Sequence, residues 1–356
     1  MNINFVIDKF IRTPTGGLKV IYQYSNYLSN LGNNITLSFC IREPMRKYKQ
    51  YIPFGIRNKL QSIVVLNGPT WFDLSSNVHI KYFNKIDEAL PDSDLVIATT
   101  VTTAKEVSRL SNNKGKKYYL IQGFENWEES DEYVISTYQL GMTNIAVSEW
   151  LYSTVKHYAP EKTLFVKNGL DLNVFKVIQN PRDRNPFSVA LLYHNNPNKG
   201  FKYAYGAVLM LKKDYPQLKC IIFGTPKRAK DWPDWIVYKQ NANERELVSI
   251  YNQSAIFINA SIQEGFGLCG AESMACGCAL LSTNYKGVLS YARNGYNSLL
   301  SPVEDSFALY KNAKNVIENN ELRLCLSLNG QESIKKLSIE TACKEFSDIL
   351  NEKYNT

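Results

Sequence analysis

Short, mainly apolar runs alternate with segments of helical periodicity along the whole chain. Residues 3–7 and 35–40 are runs of the kind that forms strands buried on both faces of a sheet. Between them, residues 16–31 place apolar side chains at helical spacing, which predicts an amphipathic helix. Repeated alternation of strand and helix predicts an α/β protein with parallel, doubly wound sheets.

The same alternation occurs in both halves of the chain. In the first half, further strands are predicted at 94–99, 118–122, 145–147 and 164–166, with a helix at 148–157. In the second half, strands are predicted at 187–193, 219–223, 255–260 and 279–283, with helices at 200–214, 244–252 and 272–276. A polar segment, 175–186, has the composition of a linker. We predict a Rossmann-like domain over residues 1–175, a second one over 176–335, and a C-terminal helix over 336–356.

The composition is that of a globular protein, with 44% hydrophobic and 21% charged residues. At 356 residues, the chain can form two domains of roughly 150–180 residues each. No apolar run reaches the ~18–20 residues of a membrane span. The first residues also lack the basic region and cleavage site of a signal peptide. We therefore predict a cytoplasmic protein.

The charge and the cysteines narrow the classes of ligand. A net charge of +8 suits anionic small molecules, an anionic membrane surface or nucleic acid. No nucleic-acid-binding motif accompanies this charge, so no nucleic-acid partner is predicted. The seven cysteines are scattered, and the close pair Cys276 and Cys278 is far in sequence from the three histidines. This pattern favours buried, reduced thiols over a zinc site.

The segment SIQEGFGLCGAESMACG, residues 261–277, carries the strongest chemical signal. Glu264 falls on a predicted strand-to-helix turn, and Glu272 falls inside the helix that follows. Gly265 and Gly267 let the backbone approach a ligand closely, and a helix N-terminus favours an anion. Two carboxylates with backbone amides between them suit a polyhydroxylated, phosphorylated molecule such as a nucleotide sugar. A helix-capping acid followed by an ordinary surface acid would leave the same pattern.

The run EGFGLCGAESMACG resembles the Glu-x7-Glu signature of family 4 glycosyltransferases, which are retaining enzymes of the GT-B fold. Ser273 stands where the family usually has alanine. In the family, the first glutamate and the amides after it hold the donor sugar, and the second glutamate holds the ribose. The resemblance therefore assigns the ribose to Glu272. It assigns the donor sugar to Glu264 and to the backbone of Gly265, Phe266, Gly267 and Leu268.

Three weaker motifs support the resemblance and occur in the family's order. Gly16 and Gly17 open the first predicted helix, where they could admit a phosphate or a sugar, or form a plain tight turn. The segment that begins at Asn168 resembles the family's passage from the first domain to the second, where this residue would shape the hinge. Lys199, followed by Gly200, matches the lysine that clamps the donor diphosphate.

Two positions depart from the family pattern. His194 stands where the family has an arginine, and Gln122 stands where members often have a histidine near the sugar. Neutral His194 could donate one hydrogen bond, and protonated His194 could replace part of the arginine charge. Gln122 cannot transfer a proton, so it could only position hydroxyl groups. Glu125, close behind it, is either a general base or a satisfied surface carboxylate.

Asp92 and Asp94 form a D-x-D sequence directly before an apolar run. In another glycosyltransferase fold such a sequence binds a metal, but here it is typical of the turn that enters a strand. No better carboxylate cluster is present in the sequence. We therefore predict an activity that requires neither a metal nor another cofactor.

A basic segment with interleaved aromatic residues lies in the first predicted domain. Residues 42–59 carry six lysines and arginines against one acid, Glu43. Such a segment could lie on an anionic membrane surface and bring a lipid-linked acceptor to the enzyme. It could equally be a solvated loop, or line a pocket for an anionic acceptor. The first interpretation would make the protein peripheral on the inner face of the cytoplasmic membrane.

The resemblance implies a GT-B architecture, with two Rossmann-like domains facing across a cleft and a C-terminal helix that crosses back to the first. It implies a retaining glycosyltransferase, with Glu264 and Lys199 as catalytic residues. The enzyme would move a sugar, typically a hexose, from a nucleoside-diphosphate sugar to a hydroxyl of a glycan or lipid-linked glycan. The setting would be bacterial surface polysaccharide assembly (capsule, O-antigen or exopolysaccharide) or other glycoconjugate assembly. The alternatives are a non-catalytic nucleotide-sugar-binding partner of another transferase, and an epimerase or hydrolase of the same fold.

Overall fold

The computed structural model describes residues 1–127 and 129–354. They form two compact units, one made of residues 1–167 with the C-terminal residues from 342, the other of residues 168–341. Each unit is built on a parallel β-sheet whose strands are connected through helices. The predicted α/β class with two Rossmann-like domains is therefore confirmed.

The first unit contains a seven-stranded sheet with the order β3-β2-β1-β4-β5-β6-β7. Its strands are β1 (Asn2–Ile7), β2 (Asn34–Cys40), β3 (Val78–Phe83), β4 (Leu95–Ala98), β5 (Lys116–Ile121), β6 (Thr143–Ala146) and β7 (Thr163–Phe165). Its helices are α1 (Gly16–Asn30), α2 (Phe54–Leu66), α3 (Val101–Val107), α4 (Asp131–Tyr138) and α5 (Glu149–Tyr158). Phe5 and Val6 of the central strand are fully buried, and burial of such a side chain contributes about 1.5–3 kcal/mol.

The second unit contains a six-stranded sheet with the order β10-β9-β8-β11-β12-β13. Its strands are β8 (Ser188–Tyr193), β9 (Lys219–Gly224), β10 (Ile236–Gln240), β11 (Ile256–Asn259), β12 (Ala279–Thr283) and β13 (Ser298–Ser301). Its helices are α6 (Phe201–Asp214), α7 (Glu244–Gln253), α8 (Leu268–Ala275), α9 (Ser306–Glu318) and α10 (Asn320–Ile334). The strand order reverses between β8 and β11. In open parallel sheets, ligands bind outside the carboxyl ends of the strands at such a reversal.

The division between the units lies at residue 167, earlier than the predicted boundary after residue 175. Leu170 pairs with Ser338 of the second unit, and its N–H donates to the Leu337 carbonyl at 2.7 Å. The polar segment at 175–186 is packed rather than extended as a linker. Arg184 in this segment is 2% exposed, and its guanidinium donates to several backbone carbonyls of the second unit. The polar side chains of this segment make buried hydrogen bonds. Composition alone does not distinguish such a segment from a solvated linker.

The C-terminal helix α11 (Ile339–Tyr354) packs on the first unit from Ala342 onwards. Phe346 stacks on Tyr24 of α1 with ring centroids 4.2 Å apart and 6° between the ring planes. The predicted return of the C-terminal helix to the first domain is confirmed. Residues 355–356 of the predicted helix lie outside the described residues.

Two further predictions concern the membrane and the thiols. Among the described residues, no helix combines the length and apolar character that a membrane crossing requires. The seven cysteines are all free thiols. Five of them are buried as predicted, but Cys269 is half-buried and Cys325 is exposed on α10.

Candidate functional site

Lys199 and Glu264 meet at the reversal of the second sheet. Lys199 lies on the turn after β8, and Glu264 lies on the loop after the neighbouring strand β11. The Lys199 ammonium is 2.6 Å from Glu264 Oε2, and the two side chains are 27% and 14% exposed. The structure therefore brings together the two residues that the sequence predicts to be catalytic. It places them where a ligand of this fold class is expected.

Backbone contacts hold the turn that carries Lys199 against the loop after β11. Gly200 has φ +59°, and a Cβ at this position would lie 1.8 Å from the carbonyl oxygen of Ala260. The carbonyl of Asn198 accepts the N–H of Ile262 at 2.7 Å. The loop after β11 therefore lies directly on the turn that carries Lys199, and only glycine fits at the point of closest approach.

A chain of hydrogen bonds fixes the other carboxylate oxygen of Glu264. The Ser261 hydroxyl donates to Oε1 of Glu264, and it also lies 2.9 Å from Oδ1 of Asn259. The Asn259 amide in turn donates to the Tyr285 hydroxyl at 3.0 Å. These three residues position Glu264, and the sequence analysis missed all three. Ser261 lies inside the predicted motif, but no pattern linked it to Tyr285, which follows β12.

The glycine-rich turn presents backbone N–H groups at the start of α8. Gly267 precedes this helix with φ +93°, and its carbonyl accepts a hydrogen bond from the Tyr291 hydroxyl at 2.7 Å. Within the described part of the chain, the N–H groups of Phe266, Gly267 and Leu268 have no acceptor. Such groups at a helix N-terminus form a site for an anion. The Phe266 side chain is 3% exposed and packs on Tyr291, so only its backbone can contact a ligand.

Glu272 lies in the second turn of α8 and is 4% exposed. The Tyr251 hydroxyl donates to its Oε2 at 3.4 Å. Burial, together with the charge of Glu272, raises the pKa of Tyr251, so the phenol keeps the proton that it donates. Glu272 is therefore a buried carboxylate rather than a surface acid. Its predicted contact with a ribose stays a prediction.

His194 follows β8 and lies near the Lys199–Glu264 pair. Its Nδ1 accepts the N–H of Asn196 at 2.9 Å, so the proton of the neutral ring is on Nε2. Burial lowers the pKa of His194, and the charge of Lys199 lowers it further against the opposing effect of Glu264. In the ligand-free protein, these effects favour neutral His194, the form that can donate one hydrogen bond from Nε2.

The pKa of Lys199 is shifted upward, in the opposite direction to that of His194. Burial acts to lower the pKa of Lys199, but the charge of Glu264 and the hydrogen bond to it outweigh burial, and the pKa is raised. The side chain is therefore a permanent cation at neutral pH. Its ammonium has three N–H donors, and one bond to Glu264 leaves donors that can turn to a phosphate oxygen.

The other predicted site residues lie mostly in the first unit. Gly16 and Gly17 begin α1, and a Cβ on Gly17 would lie 3.7 Å from Nε2 of Gln122. Glu125 accepts the N–H of Val101 at 2.7 Å, at the first residue of α3, so this carboxylate stabilises a helix start. The roles predicted for Gln122 and Glu125 in positioning the acceptor stay predictions.

Asn168 is 5% exposed in the second unit, and its side-chain oxygen is buried without a partner among the described residues.

The D-x-D residues lie in the first unit, where both make structural contacts. Asp92 contacts the Lys114 ammonium at 2.7 Å, and Asp94 accepts the N–H of Asn2 at 2.7 Å. In the ranges 1–127 and 129–354, no group of three or more His, Cys, Asp or Glu side chains is arranged to hold a metal ion.

Comparisons with known proteins bear on the same region. Residues 178–333, which contain both loops of the site, match the family described as glycosyl transferases group 1. The uncharacterized glycosyltransferase MJ1178 of Methanocaldococcus jannaschii is 30% identical over 193 residues, 47% of this chain and 55% of that protein. The chain thus spans about half the length of this relative. CapM of Staphylococcus aureus, a capsular polysaccharide biosynthesis glycosyltransferase, is 22% identical over 273 residues, 68% of each chain.

A solved structure extends the comparison to the whole chain. Alr3699/HepE from Anabaena, in complex with UDP, has a TM-score of 0.74 at 15% identity. The match covers 99% of this chain and 100% of that one, which shows that the two proteins share a fold. The predicted resemblance to glycosyltransferases is thus supported over residues 178–333, which match the glycosyl transferases group 1 family, and the whole chain shares the fold of HepE.

Proposed function

We propose that the chain is a retaining glycosyltransferase that moves a sugar from a nucleoside-diphosphate sugar to an acceptor hydroxyl. The observation that carries this proposal is the pairing of Lys199 with Glu264 at the sheet reversal, beside the backbone amides at the start of α8. A cation and free N–H groups suit a diphosphate, and a fixed carboxylate suits sugar hydroxyls. The UDP in the HepE structure supports a nucleoside diphosphate as part of the donor.

In the proposed reaction, the bond between the anomeric carbon and the diphosphate oxygen breaks, and charge develops on both fragments. Lys199 and the N–H of Leu268 stabilise the departing diphosphate, because preorganised donors act most strongly where negative charge develops. Glu264, held by Ser261, orients the sugar ring. The acceptor oxygen attacks the same face of the sugar, and its proton passes to the departing phosphate oxygen. This route needs no separate protein base and keeps the anomeric configuration.

The biological setting and the absence of a metal are also part of the proposal. CapM is a capsular polysaccharide glycosyltransferase, which supports surface polysaccharide or glycoconjugate assembly as the setting here. We expect the activity to be independent of divalent cations, because Lys199 and the start of α8 supply the positive charge that a metal would otherwise provide.

The donor is identified by thermal unfolding with UDP-, GDP-, dTDP- and ADP-sugars, each with and without EDTA. The correct donor at 100 times its Kd should stabilise the native protein by about 2.7 kcal/mol, because it binds the folded state. EDTA should leave this shift unchanged. No shift with any nucleotide sugar would count against the transferase proposal, and loss of the shift in EDTA would contradict metal independence.

The ribose role of Glu272 is tested in the same assay with Glu272→Gln. This change keeps the side-chain shape but removes the charge, and we expect about tenfold weaker donor binding. Glu318→Gln is the matched control, because Glu318 also accepts a tyrosine hydroxyl, that of Tyr215, at 2.7 Å. Equal donor affinity in the wild type and Glu272→Gln would show that the Glu272 charge does not contribute to donor binding.

His194 should make donor binding depend on pH. Its pKa is lowered in the free protein, but a bound diphosphate would raise it. Protonation would then add positive charge beside Lys199. Donor affinity should therefore rise about 5- to 10-fold between about pH 7.5 and about pH 5.5. Isothermal titration calorimetry of the wild type and His194→Gln checks this, because glutamine cannot be protonated and should abolish the rise. A pH profile that is the same in both proteins would exclude histidine protonation.

A further inference from the structure

Two buried tyrosines pack against the glycine-rich turn that leads into α8. Tyr285 and Tyr291 follow β12 and are 2% and 6% exposed. A Cβ on Gly267 would overlap the Tyr285 hydroxyl oxygen, and a Cβ on Gly270 would overlap the Tyr291 hydroxyl oxygen. The two phenols therefore fill the space beside these glycines, and a side chain at either glycine would displace a phenol from the turn.

Hydrogen bonds join the two phenols in one chain that ends at the turn. The Tyr291 hydroxyl donates to the Gly267 carbonyl at 2.7 Å, and its oxygen lies 3.2 Å from the Tyr285 hydroxyl oxygen. Because Tyr291 has then used its only proton, Tyr285 is the donor between the two phenols. Tyr285 in turn accepts the Asn259 amide at 3.0 Å. Burial raises the pKa of both phenols, so the chain keeps its protons at neutral pH.

This chain of hydrogen bonds acts on the peptide group between Gly267 and Leu268. The group is planar and trans, so its C=O and N–H bonds point in opposite directions, and fixing the carbonyl fixes the N–H. The Gly270 N–H also donates to this carbonyl, at 3.2 Å. Hydrogen bonds in series polarise one another, which makes the N–H a stronger donor. Tyr291 therefore controls both the direction and the strength of the Leu268 N–H.

The segment 285–291 also contacts the loop that carries Glu264. A Cβ on Gly287 would lie 2.5 Å from the Glu264 carbonyl oxygen and 2.9 Å from the carbonyl carbon of Gly265. The backbone of this segment therefore lies directly on the Glu264 loop, while the Tyr291 hydroxyl holds the start of α8. One segment thus fixes the carboxylate proposed for the sugar and the amide proposed for the diphosphate.

We infer that Tyr291 is a positioning residue for sugar transfer, which directs the Leu268 N–H at the diphosphate through the Gly267 carbonyl. The part played by this N–H rests on the proposed transferase function. The Tyr291 ring packs on Phe266 with centroids 5.2 Å apart, and a phenylalanine ring would pack in the same way. The inferred role therefore belongs to the hydroxyl group and not to the ring.

Isothermal titration calorimetry of Tyr291→Phe tests this role, because the change keeps the ring and removes the hydroxyl. The probes are UDP and UMP, or the matching pair where the thermal panel selects a GDP-, dTDP- or ADP-sugar. The wild type should bind the diphosphate more tightly, because the monophosphate lacks the second phosphate. In Tyr291→Phe, this preference for the diphosphate should fall about tenfold. General loosening of the unit would weaken both nucleotides alike and leave the preference unchanged.

Gly270→Ala should remove the same hydrogen bond by a different route. The added Cβ would displace the Tyr291 hydroxyl from Gly267, so the preference should again fall about tenfold. In the Tyr291→Phe background the hydroxyl is already absent, and the nearest remaining ring atom would be 3.3 Å from the Cβ. The double variant should therefore also lose about tenfold, and not about 100-fold, because both changes remove one and the same bond.

The matched control is Tyr215→Phe. Tyr215 lies in the same unit at the end of α6, and its hydroxyl donates to Glu318 at 2.7 Å. This control loses one tyrosine hydrogen bond away from the candidate site, and its preference should stay within about twofold of that of the wild type.

The possible results separate this inference from the proposed function. A wild type that binds none of the nucleoside diphosphates would overturn both. Tight diphosphate binding in the wild type, with the same preference in Tyr291→Phe, would overturn only the role of Tyr291. Losses that multiply in the double variant would also overturn it. If Tyr291→Phe shows no cooperative thermal transition, Gly270→Ala decides alone, and an unchanged preference there would exclude the role.

Discussion

Replacing Lys199 with methionine should lower kcat/KM for sugar transfer by about 100- to 1,000-fold, the cost of removing one preorganised donor from a developing negative charge. The ammonium is 2.6 Å from Glu264, which fixes its position before the donor arrives. Methionine keeps a similar length but cannot stabilise the departing diphosphate. The measurement is steady-state transfer of radiolabelled sugar from the donor that stabilises the wild type.

The control for this change is Lys314→Met. Lys314 also pairs with a carboxylate, that of Asp214 at 2.8 Å, but on α6 and α9 away from the candidate site. This variant should keep kcat/KM within about twofold, because exposed ion pairs contribute little. If Lys199→Met retains its donor-free melting temperature and loses less than about threefold in kcat/KM, then Lys199 does not stabilise the leaving group.

Replacing Gly200 with alanine should lower the free energy of unfolding of the second unit by about 3–4 kcal/mol. Two costs combine at this position. The residue has φ +59°, which L side chains rarely adopt, and the new Cβ would lie 1.8 Å from the Ala260 carbonyl oxygen. Because this obstacle is backbone, the loop after β11 must move away from Lys199. Donor binding should therefore weaken along with stability.

Gly295→Ala separates the two costs. Gly295 lies in the same unit with φ +75°, but a Cβ there would meet no atom within 4 Å. It should cost only the left-handed conformation, about 1–2 kcal/mol, and leave donor affinity unchanged. Urea unfolding of both variants gives the comparison. Equal losses of stability would show that the loop does not press on Gly200.

Most strands that the sequence predicts have a continuous buried pattern. β1, β8 and β12 are central or well-covered strands, and their apolar runs are sufficient to predict them. The edge strands β3 and β10 are half-exposed along their length, so their mixed sequences gave no strand signal. Helix α8 begins at Leu268, before the predicted start at residue 272, because Gly267 precedes it in a left-handed conformation that hydrophobic periodicity does not encode.

The site was predictable where local motifs carry it and unpredictable where distant residues complete it. Glu264 and Lys199 each lie in a recognisable turn, and the parallel order of the strands brings those turns together. The residues that orient Glu264 include Tyr285 beyond the next strand, and nothing in its local sequence marks it. The protonation state of His194 also depends on tertiary burial and on the charge of Lys199, which a sequence does not show.

We propose that a nucleoside diphosphate binds at the Lys199–Glu264 pair. A crystal structure with the nucleoside diphosphate of the stabilising donor tests it most directly. We predict a phosphate oxygen about 2.7–3.0 Å from the Lys199 ammonium, and a second one within hydrogen-bonding distance of the amides at Gly267 and Leu268. A diphosphate bound elsewhere, with Lys199 still paired only to Glu264, would show that this pair is not the diphosphate site.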